Sequence, residues 1–566
     1  MKKTIFLSFC TSFMMVVIFT SCKSGLTPLA SQYIQSEPQP LELVATKVPV
    51  TVNATFPPKW FNKKASLVVT PVLRYSDGEA TGTSYTYQGE KVAGNGQVIP
   101  AKAGASVVLK STFDYVPAMQ NSQLYLAFQA KVGNKTIALP DVQIGSGVLS
   151  TEALLNPASE TPAIAADQFQ RVIKEAYDAN ILFLIQQAEL RSGELKKGEL
   201  VDWKDIVKSA NTAPNQSVSV EISAYASPDG GYDLNEKLAE KRETSTANYL
   251  SKELKKAKVK APVNVRYTAQ DWDGFKELVE KSTIQDKDLI LRVLSMYSDS
   301  EQREREIKNI SAVYSDLAET ILPQLRRSRL TANIEIIGKS DEEIASLAVS
   351  NPRSLNVEEL LYAATLTPTE DAKAAIYKKV IELFPNDARG FNNLGATEFA
   401  QGKLDVAESS FNKALKLSSS LPEANLNLGW IALSKGNTDL ASQYFGKASG
   451  AQGLTNAIAY LDVLKGNYSQ AAKAFGQTAN NNAAVAQILA KDYNAAQASL
   501  NAIPSPNADT YYLKAIVAAR TNNINSVADN LKQSVALDAK KATQALSDVE
   551  FAKYVANAAF LKAVTK

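Results

Sequence analysis

VSVEISAYASPDGGYDLNEKLAEKRETSTANYL, residues 218–250, combines the signals of a strand, a turn and a helix in one segment. Apolar and polar residues alternate over 218–224, which is the pattern of a strand with one buried face. The run 227–231 (SPDGG) cannot continue that strand, because it holds a proline without an N–H and two glycines. Asp233 and Glu236 then have the spacing of a capping box. We therefore predict a helix that begins at Asp233.

The same segment carries two motifs, AYASPDG at 224–230 and NEKLAEKR at 235–242. They resemble the motifs of the OmpA-like C-terminal domain, through which outer-membrane proteins bind peptidoglycan. The resemblance implies an OmpA-like βαβ domain over residues 167–340, with a helical insertion at 271–327. It also implies that Asn235 and Arg242 stand at binding positions.

One position departs from the pattern of that family. Where the family has an aspartate that, with the arginine, binds diaminopimelate, this chain has Ser227. A hydroxyl cannot neutralise an ammonium group, although Asp229 of the same turn could replace the missing charge. Alternatively, Ser227 caps the turn and Arg242 pairs with a carboxylate of its own domain. The candidate peptidoglycan-binding residues are thus Ser227, Asp229, Asn235 and Arg242.

Composition excludes several classes of site. The chain has no histidine and two cysteines, Cys10 and Cys22, which excludes imidazole bases, Cys–His nucleophiles and His/Cys metal sites. The 61 basic residues nearly balance the 58 acidic ones, so nothing electrostatic favours nucleic acid. Neighbouring acids such as Asp271 and Asp273 need only be helix caps or solvated charges. We expect no enzyme, no cofactor and no metal.

The N-terminus has the features of a secretory signal. Two lysines precede an apolar run, and small polar residues precede Cys22. This resembles a bacterial lipoprotein signal of the kind found in Bacteroidota, which implies a signal peptide at 1–21 and lipid attachment at Cys22. Ordinary cleavage that leaves a free cysteine is the alternative. Residues 22–40 are rich in Ser, Gly, Pro and Gln, and we predict a lipidated tether.

Two further segments are assigned from periodicity. Residues 41–150 contain short β-branched and aromatic runs separated by turns, which predicts a β-sandwich that serves as a spacer. Residues 151–166 read as a Pro/Ala/Ser joint. Apolar residues recur at helical spacing over 167–189, and the OmpA-like resemblance places its first strand within this segment, at 181–185. Trp272 is expected to pack inward rather than to stack on a sugar.

From Asn356 onward the sequence is helical and repeats every 34 residues, the period of tetratricopeptide (TPR) repeats. Small residues would let the two helices of a repeat approach, while a phenylalanine fills the gap to the next pair. The TPR packing residues are Leu394, Gly395, Gly402, Ala407, Phe411 and Ala414, followed 34 residues later by Leu428, Gly429, Gly436, Ala441, Phe445 and Ala448. The TPR domain is predicted over 354–566, with capping helices at its end.

The predicted fold class is therefore multidomain α+β, with an N-terminal β-sandwich, an OmpA-like βαβ domain with a helical insertion, and a C-terminal TPR α-solenoid. Such a chain is expected to be an outer-membrane, periplasm-facing scaffold lipoprotein. Its TPR groove would bind a protein partner, and its OmpA-like domain would bind peptidoglycan. The alternative is an accessory subunit of an outer-membrane assembly or secretion machine without peptidoglycan binding.

Overall fold

A computed structural model describes residues 26–565, apart from the side chains of residues 311–313. The chain divides into two compact units. One contains the chain up to Ala166 together with Pro368–Lys566, and the other is Asp167–Thr367. The strand-rich segment and the repeats, which we predicted as separate domains, thus belong to one unit. The predicted signal peptide and Cys22 lie outside the described residues.

The N-terminal part of the first unit is built from strands whose side chains alternate between buried and exposed positions. One sheet has the order β1-β3-β8 and a second has the order β10-β9-β4-β6-β7, with β11 on β9 and β5 on β4. Residues of both sheets share one hydrophobic core, as in the predicted β-sandwich. The strands are β1 Ile34–Glu37, β2 Leu41–Glu42, β3 Lys47–Phe56, β4 Ala65–Tyr75, β5 Gly78–Thr81, β6 Tyr85–Gln88, β7 Gln97–Val98, β8 Ala105–Asp114, β9 Gln123–Val132, β10 Lys135–Ala138, β11 Val142–Ser146 and β12 Val148–Leu149.

The tether predicted over residues 22–40 is wrong for residues 26–40. Leu26 and Leu29 are buried in the sandwich core, and β1 pairs antiparallel with β3 from Ile34 to Glu37. Burial of these apolar side chains stabilises the segment more than its Ser- and Pro-rich composition suggested. The folded sandwich therefore includes the chain from Leu26 onward.

The second unit contains a mixed four-stranded sheet of order β13-β16-β14-β15. β16 runs antiparallel to both of its neighbours, whereas β14 and β15 are parallel and are joined by the long helix α2. The strand and helix predicted over 218–250 are present as β14 and α2. The elements are β13 Val172–Leu182, α1 Gly198–Thr212, β14 Gln216–Tyr225, α2 Tyr232–Lys256, β15 Val263–Thr268, α3 Trp272–Lys281, α4 Lys287–Met296, α5 Ser300–Asn309, α6 Ser311–Thr320, α7 Leu322–Leu325, β16 Arg327–Ile337, α8 Asp341–Ser350 and α9 Val357–Thr365.

Two local predictions for this unit are wrong. The helical spacing over 167–189 belongs to strand β13, which pairs with β16 along its whole length and leaves Val172, Ile173 and Tyr177 largely exposed. Cross-strand pairing thus overrides the local period. The predicted capping box is also absent. Helix α2 begins after Gly231, and its N-terminus has no side-chain cap. Asp233 lies instead in the first turn, where its charge favours the positive end of the helix dipole.

The insertion predicted between β15 and β16 forms the helices α3–α7, which have a hydrophobic core of their own. Phe275, Val279 and Leu325 are buried in that core. Trp272 packs partly against it and donates its Nε1–H to Ser300 Oγ at 2.6 Å. The indole therefore contacts residues of the insertion, as expected for an inward-packing tryptophan.

The C-terminal part of the first unit is an array of antiparallel helix pairs. Helix α9 belongs to the second unit, so the array begins after Pro368, later than the predicted boundary at 354. Residues Ala542–Val564, predicted as caps, include helix α22, which packs against α20. The helices are α10 Glu370–Leu383, α11 Ala388–Ala400, α12 Leu404–Leu417, α13 Pro422–Ser434, α14 Thr438–Gly446, α15 Leu454–Leu464, α16 Tyr468–Phe475, α17 Asn481–Leu489, α18 Tyr493–Asn501, α19 Ala508–Arg520, α20 Ile524–Leu537, α21 Lys540–Ser547 and α22 Ala558–Val564.

The repeated glycine and phenylalanine pack against each other within one helix pair. A methyl group at Gly429 would lie 2.1 Å from Cε1 of Phe445, and one at Gly395 would lie 2.8 Å from the ring of Phe411. Each phenylalanine therefore covers the glycine of its own repeat, rather than only filling the gap to the next pair. The alanines Ala407, Ala414, Ala441 and Ala448 are fully buried.

The second glycine of each repeat is explained by backbone conformation and not by side-chain packing. Gly402, Gly436 and Gly466 adopt positive φ between paired helices, where a left-handed residue ends the first helix. The equivalent turns of later repeats use Lys491 and Asn522, with φ of 63° and 60°. Since a side chain tolerates this conformation at a modest cost, the turn persists where the glycine signal has disappeared.

We predict that Gly429→Ala destabilises the array, because the added methyl group collides with the buried Phe445 ring. Overpacking of this kind costs about 1–3 kcal/mol. The matched control is Gly446→Ala, at an exposed helical position with no atom within 4 Å of the added methyl group. Denaturant unfolding followed by circular dichroism should show a loss for the first variant and no loss for the second. Equal stabilities would contradict the packing described here.

Candidate functional site

Arg242 is fully buried on helix α2. Its Nε donates to the carbonyl of Gln187 at 2.9 Å, Nη1 to that of Tyr225 at 2.8 Å and Nη2 to that of Leu184 at 3.2 Å. The guanidinium also lies 5.1 Å from the centre of the Phe183 ring. Its donors therefore join two backbone segments of its own unit, the loop that carries Leu184 and Gln187 and the end of strand β14 at Tyr225.

Burial, together with the nearby positive charge of Arg326, lowers the pKa of Arg242 to about 10, while the negative charge of Asp229 opposes the change. The side chain still carries its charge at neutral pH. Because carbonyl oxygens surround it, this charge is solvated by the protein instead of by water.

The other predicted residues gather at the turn after β14. Ser227 Oγ donates to Asp229, whose second carboxylate oxygen accepts from Arg326 Nη2 at 3.1 Å. Asn235 is buried and donates to the carbonyls of Ser227, at 3.0 Å, and Gly230, at 2.9 Å. The sequence motif therefore assembles, but its polar groups bind one another.

The charge partner of Asp229 is Arg326, which sequence reasoning missed. The feature of the sequence that could have identified Arg326 is its position directly before the closing strand β16. The sequence left open whether Arg242 binds peptidoglycan or pairs with a carboxylate of its own domain. Its observed partners are backbone carbonyls, and peptidoglycan binding stays a prediction.

A second site lies in the first unit, where the array holds the segment 151–166. This segment consists of two short 3-10 turns, Thr151–Leu154 and Pro157–Ser159, followed by an extended stretch. We refer to it as the groove segment. Its extended part is bound by side chains from the first helices of several helix pairs.

Three asparagines each form a two-point contact with the backbone of one residue of the groove segment. In every case Oδ1 accepts the backbone N–H and Nδ2 donates to the backbone carbonyl. The pairs are Asn393 with Ala165 at 2.8 and 2.9 Å, Asn427 with Ala163 at 2.7 and 2.9 Å, and Asn482 with Asn156 at 2.8 and 2.9 Å.

These asparagines are almost wholly buried. Asn392 adds a further donor to the Ala163 carbonyl at 3.1 Å and accepts from Asn427 at 3.1 Å. A buried amide without a partner is costly, and the groove segment supplies partners for all of them. The array therefore binds an extended chain through the backbone N–H and carbonyl groups of that chain.

Side chains of the groove segment alternate as they do in a strand. Ala163 and Ala165 are buried against the array, whereas Ile164 between them is 44% exposed. The space beside the asparagines therefore accepts small side chains, and every second position faces away from the array.

Glu160 is the charged residue of the extended part and is buried. It accepts from Asn482 at 2.8 Å, from Asn480 at 3.1 Å and also from Asn456. Burial raises the pKa of its carboxyl, and the three amide donors counteract that shift. Three neutral amides thus replace the water that would otherwise solvate this carboxyl.

The start of the groove segment joins the sandwich to the array. Glu152 is buried and accepts from Tyr468 Oη at 2.6 Å and from the backbone N–H groups of Ala45 and Thr46, at 3.0 and 2.8 Å. Thr151 donates to Glu550 of the C-terminal cap. These contacts bind the sandwich, the segment and the array into one unit.

The sequence predicted that the TPR groove binds a protein partner, and it did not predict that a segment of the same chain lies in the groove. Residues 151–166, read as a joint, occupy the asparagine sites. A signal was present in the sequence, because Asn393 and Asn427 are 34 residues apart and so belong to the repeat. Inward-facing polar residues at the repeat period could have indicated a binding groove.

Among the residues that the structure describes, no three acidic, histidine or cysteine side chains come together as a metal site would require. None of the helices within residues 26–565 is long and apolar enough to cross a membrane.

A family model described as "Tetratricopeptide repeat" matches residues 369–422 and 392–453. No curated protein matches this chain. Similar solved structures include Pseudomonas aeruginosa PilF, with 14% identity over 36% of this chain and 95% of that one and a TM-score of 0.26. A tetratricopeptide repeat protein from Parabacteroides merdae has 15% identity over 52% of this chain and 100% of that one, with a TM-score of 0.25. YrrB, described as a TPR protein with an unusual peptide-binding site, has 18% identity over 36% of this chain and 98% of that one, with a TM-score of 0.18. The C-terminal array of this chain thus contains tetratricopeptide repeats, matched over residues 369–453.

Proposed function

We propose that this chain is an outer-membrane-anchored, periplasm-facing scaffold lipoprotein whose TPR domain holds a protein partner. The observation that carries the proposal is the set of buried asparagines that bind the backbone of an extended chain. TPR arrays are protein-interaction modules, and this one has side chains suited to holding a peptide along its length.

Backbone recognition has a functional advantage for a scaffold. Each asparagine pairs with one N–H and one carbonyl, groups that every residue except proline offers. Affinity therefore comes from the extended conformation, while small side chains and the Glu160 position add selectivity. The same logic underlies strand addition to a sheet edge.

The lipid anchor is proposed from the sequence at Cys22. An acyl chain contributes about 0.8 kcal/mol per buried CH₂, so several chains would retain the protein on a membrane. Periplasmic orientation is proposed because the residues after Cys22, Lys23–Leu26, lack the acidic cluster that resembles a surface-export signal.

The alternative is an accessory subunit of an outer-membrane assembly or secretion machine that does not bind peptidoglycan. The burial of Arg242 favours this version over a wall-binding OmpA-like domain, since the guanidinium has three carbonyl partners of its own. The pairing of Asp229 with Arg326 favours it too, because the carboxylate expected to meet an ammonium group is already neutralised.

Photo-crosslinking in cells tests the scaffold role. We expect a crosslinking residue at Ile458, an exposed position on array helix α15, to give the same protein adduct in independent preparations. Val108, exposed on strand β8 of the sandwich, is the control position. The proposal fails if array positions give no adduct, or if Val108 gives the same adducts in equal yield.

Membrane attachment is expected to depend on Cys22. Cys22→Ala should move the chain from the membrane fraction to the soluble fraction, because the acylated residue would be lost. Cys10→Ala, within the predicted signal peptide, is the matched control and should remain with the membrane. Unchanged membrane recovery of Cys22→Ala would exclude lipid attachment at this position.

Arg242→Ala is expected to destabilise the second unit by roughly 3 kcal/mol, since three partly buried carbonyls would lose their donor. Lys241→Ala, on the exposed side of the same helix, should change stability by less than about 0.5 kcal/mol. Thermal unfolding measures both.

Co-sedimentation with purified peptidoglycan sacculi distinguishes the two versions of the function. With an internal Arg242, binding per folded molecule should be the same for wild type and Arg242→Ala. A tenfold or greater fall for the folded variant would instead assign Arg242 to a peptidoglycan site.

A further inference from the structure

The pocket around Glu160 is a carboxylate site built by the array. Asn482 is 1% exposed and uses one side chain for both the Asn156 backbone and the Glu160 carboxylate. Asn480 donates to both oxygens of Glu160, at 3.1 and 3.3 Å. An acceptor-only group satisfies these donors, whereas an ammonium group would face them with further donors.

Further along the groove segment, the array restricts the size of the side chains. Ala163 and Ala165 are buried where Asn427 and Asn393 hold their backbones, so a larger side chain would push the backbone out of reach of the amides. Thr161 and Ile164 point away from the array and leave their positions unrestricted. The groove therefore selects a carboxylate, then small residues three and five positions later.

We propose that the groove recognises an extended acidic peptide of the pattern Glu-x-x-small-x-small, and that residues 156–166 are a resident copy of this ligand. A partner segment with the same pattern competes with the resident copy for the asparagine sites. This inference rests on the proposed scaffold function and specifies the chemistry of its partner.

Competition follows from the covalent connection. A segment attached to its own binding site acts at an effective concentration on the order of mM. A free peptide of equal intrinsic affinity therefore binds measurably only near that concentration, or after the resident segment has left the groove. Occupancy makes the groove selective for partners that bind better than the resident copy or that arrive with a second contact.

The test uses the full chain with a weakened resident segment. Glu160→Ala combined with Ala163→Pro removes the carboxylate and the N–H that Asn427 accepts, and leaves every groove asparagine intact. The probe is a fluorescein-labelled peptide of residues 153–166, ALLNPASETPAIAA. Fluorescence anisotropy should show saturable binding to this variant, and wild type should need at least tenfold more peptide.

The carboxylate requirement is tested with a second peptide in which Glu160 is replaced by Gln. It should bind the weakened chain at least tenfold less tightly, since one acceptor oxygen and the charge are lost. Equal binding of the two peptides overturns carboxylate recognition. Absence of binding to a weakened chain that keeps its circular dichroism and melting temperature overturns the whole inference.

A second variant covers the case in which the weakened chain does not fold. Asn482→Asp places a carboxylate against Glu160, while an acidic residue in the first turn of α17 remains favourable for the helix. Amide hydrogen exchange over 156–166 should become at least tenfold faster than in wild type. Unchanged exchange would overturn the inference. Neither result bears on the adduct expected from Ile458, so the scaffold function is tested separately.

Discussion

The two-point hydrogen bonds between buried asparagines and the groove segment are the constraint on which the first unit depends. Asn392, Asn393 and Asn427 lie inside the array, where an amide left without partners costs about 1–3 kcal/mol. The groove segment therefore satisfies the buried amides of the array, and the array in turn satisfies backbone groups of the groove segment. Since that segment also follows directly from the sandwich, this mutual need explains why strands at one end of the sequence and helices at the other form one unit.

The sequence predicts best those parts of the fold whose stabilising contacts lie close along the chain. The alternation over 218–224 reflects the buried face of a strand. The 34-residue spacing of Gly395 and Gly429 reflects the contact of each glycine with the phenylalanine of its own helix pair. Strand β13 was misread because its stability comes from pairing with β16, far along the chain, and its exposed apolar residues mimic a helix. The groove segment was read as a joint for the same reason, since its partners are repeat residues hundreds of positions away.

The turn after β14 shows why a motif predicts position better than role. Residues with the expected chemistry come together there, yet Arg242 faces carbonyl oxygens and Asp229 faces Arg326. Whether a guanidinium binds a ligand or its own backbone depends on a few ångströms of loop placement, here the loop that carries Leu184 and Gln187. No pattern within residues 227–242 encodes that placement.

The early entry of the chain into the sandwich limits how far the protein can reach. Three residues separate Cys22 from Leu26, which is already buried in the sandwich core, so the connection has four Cα–Cα steps. An extended chain spans at most about 3.6 Å per residue, so this connection is no longer than about 14 Å. If Cys22 is acylated, the sandwich must sit against the lipid headgroups. Any partner held by the array would then be collected at the membrane surface, and the two-dimensional diffusion of the lipid anchor would set how often they meet.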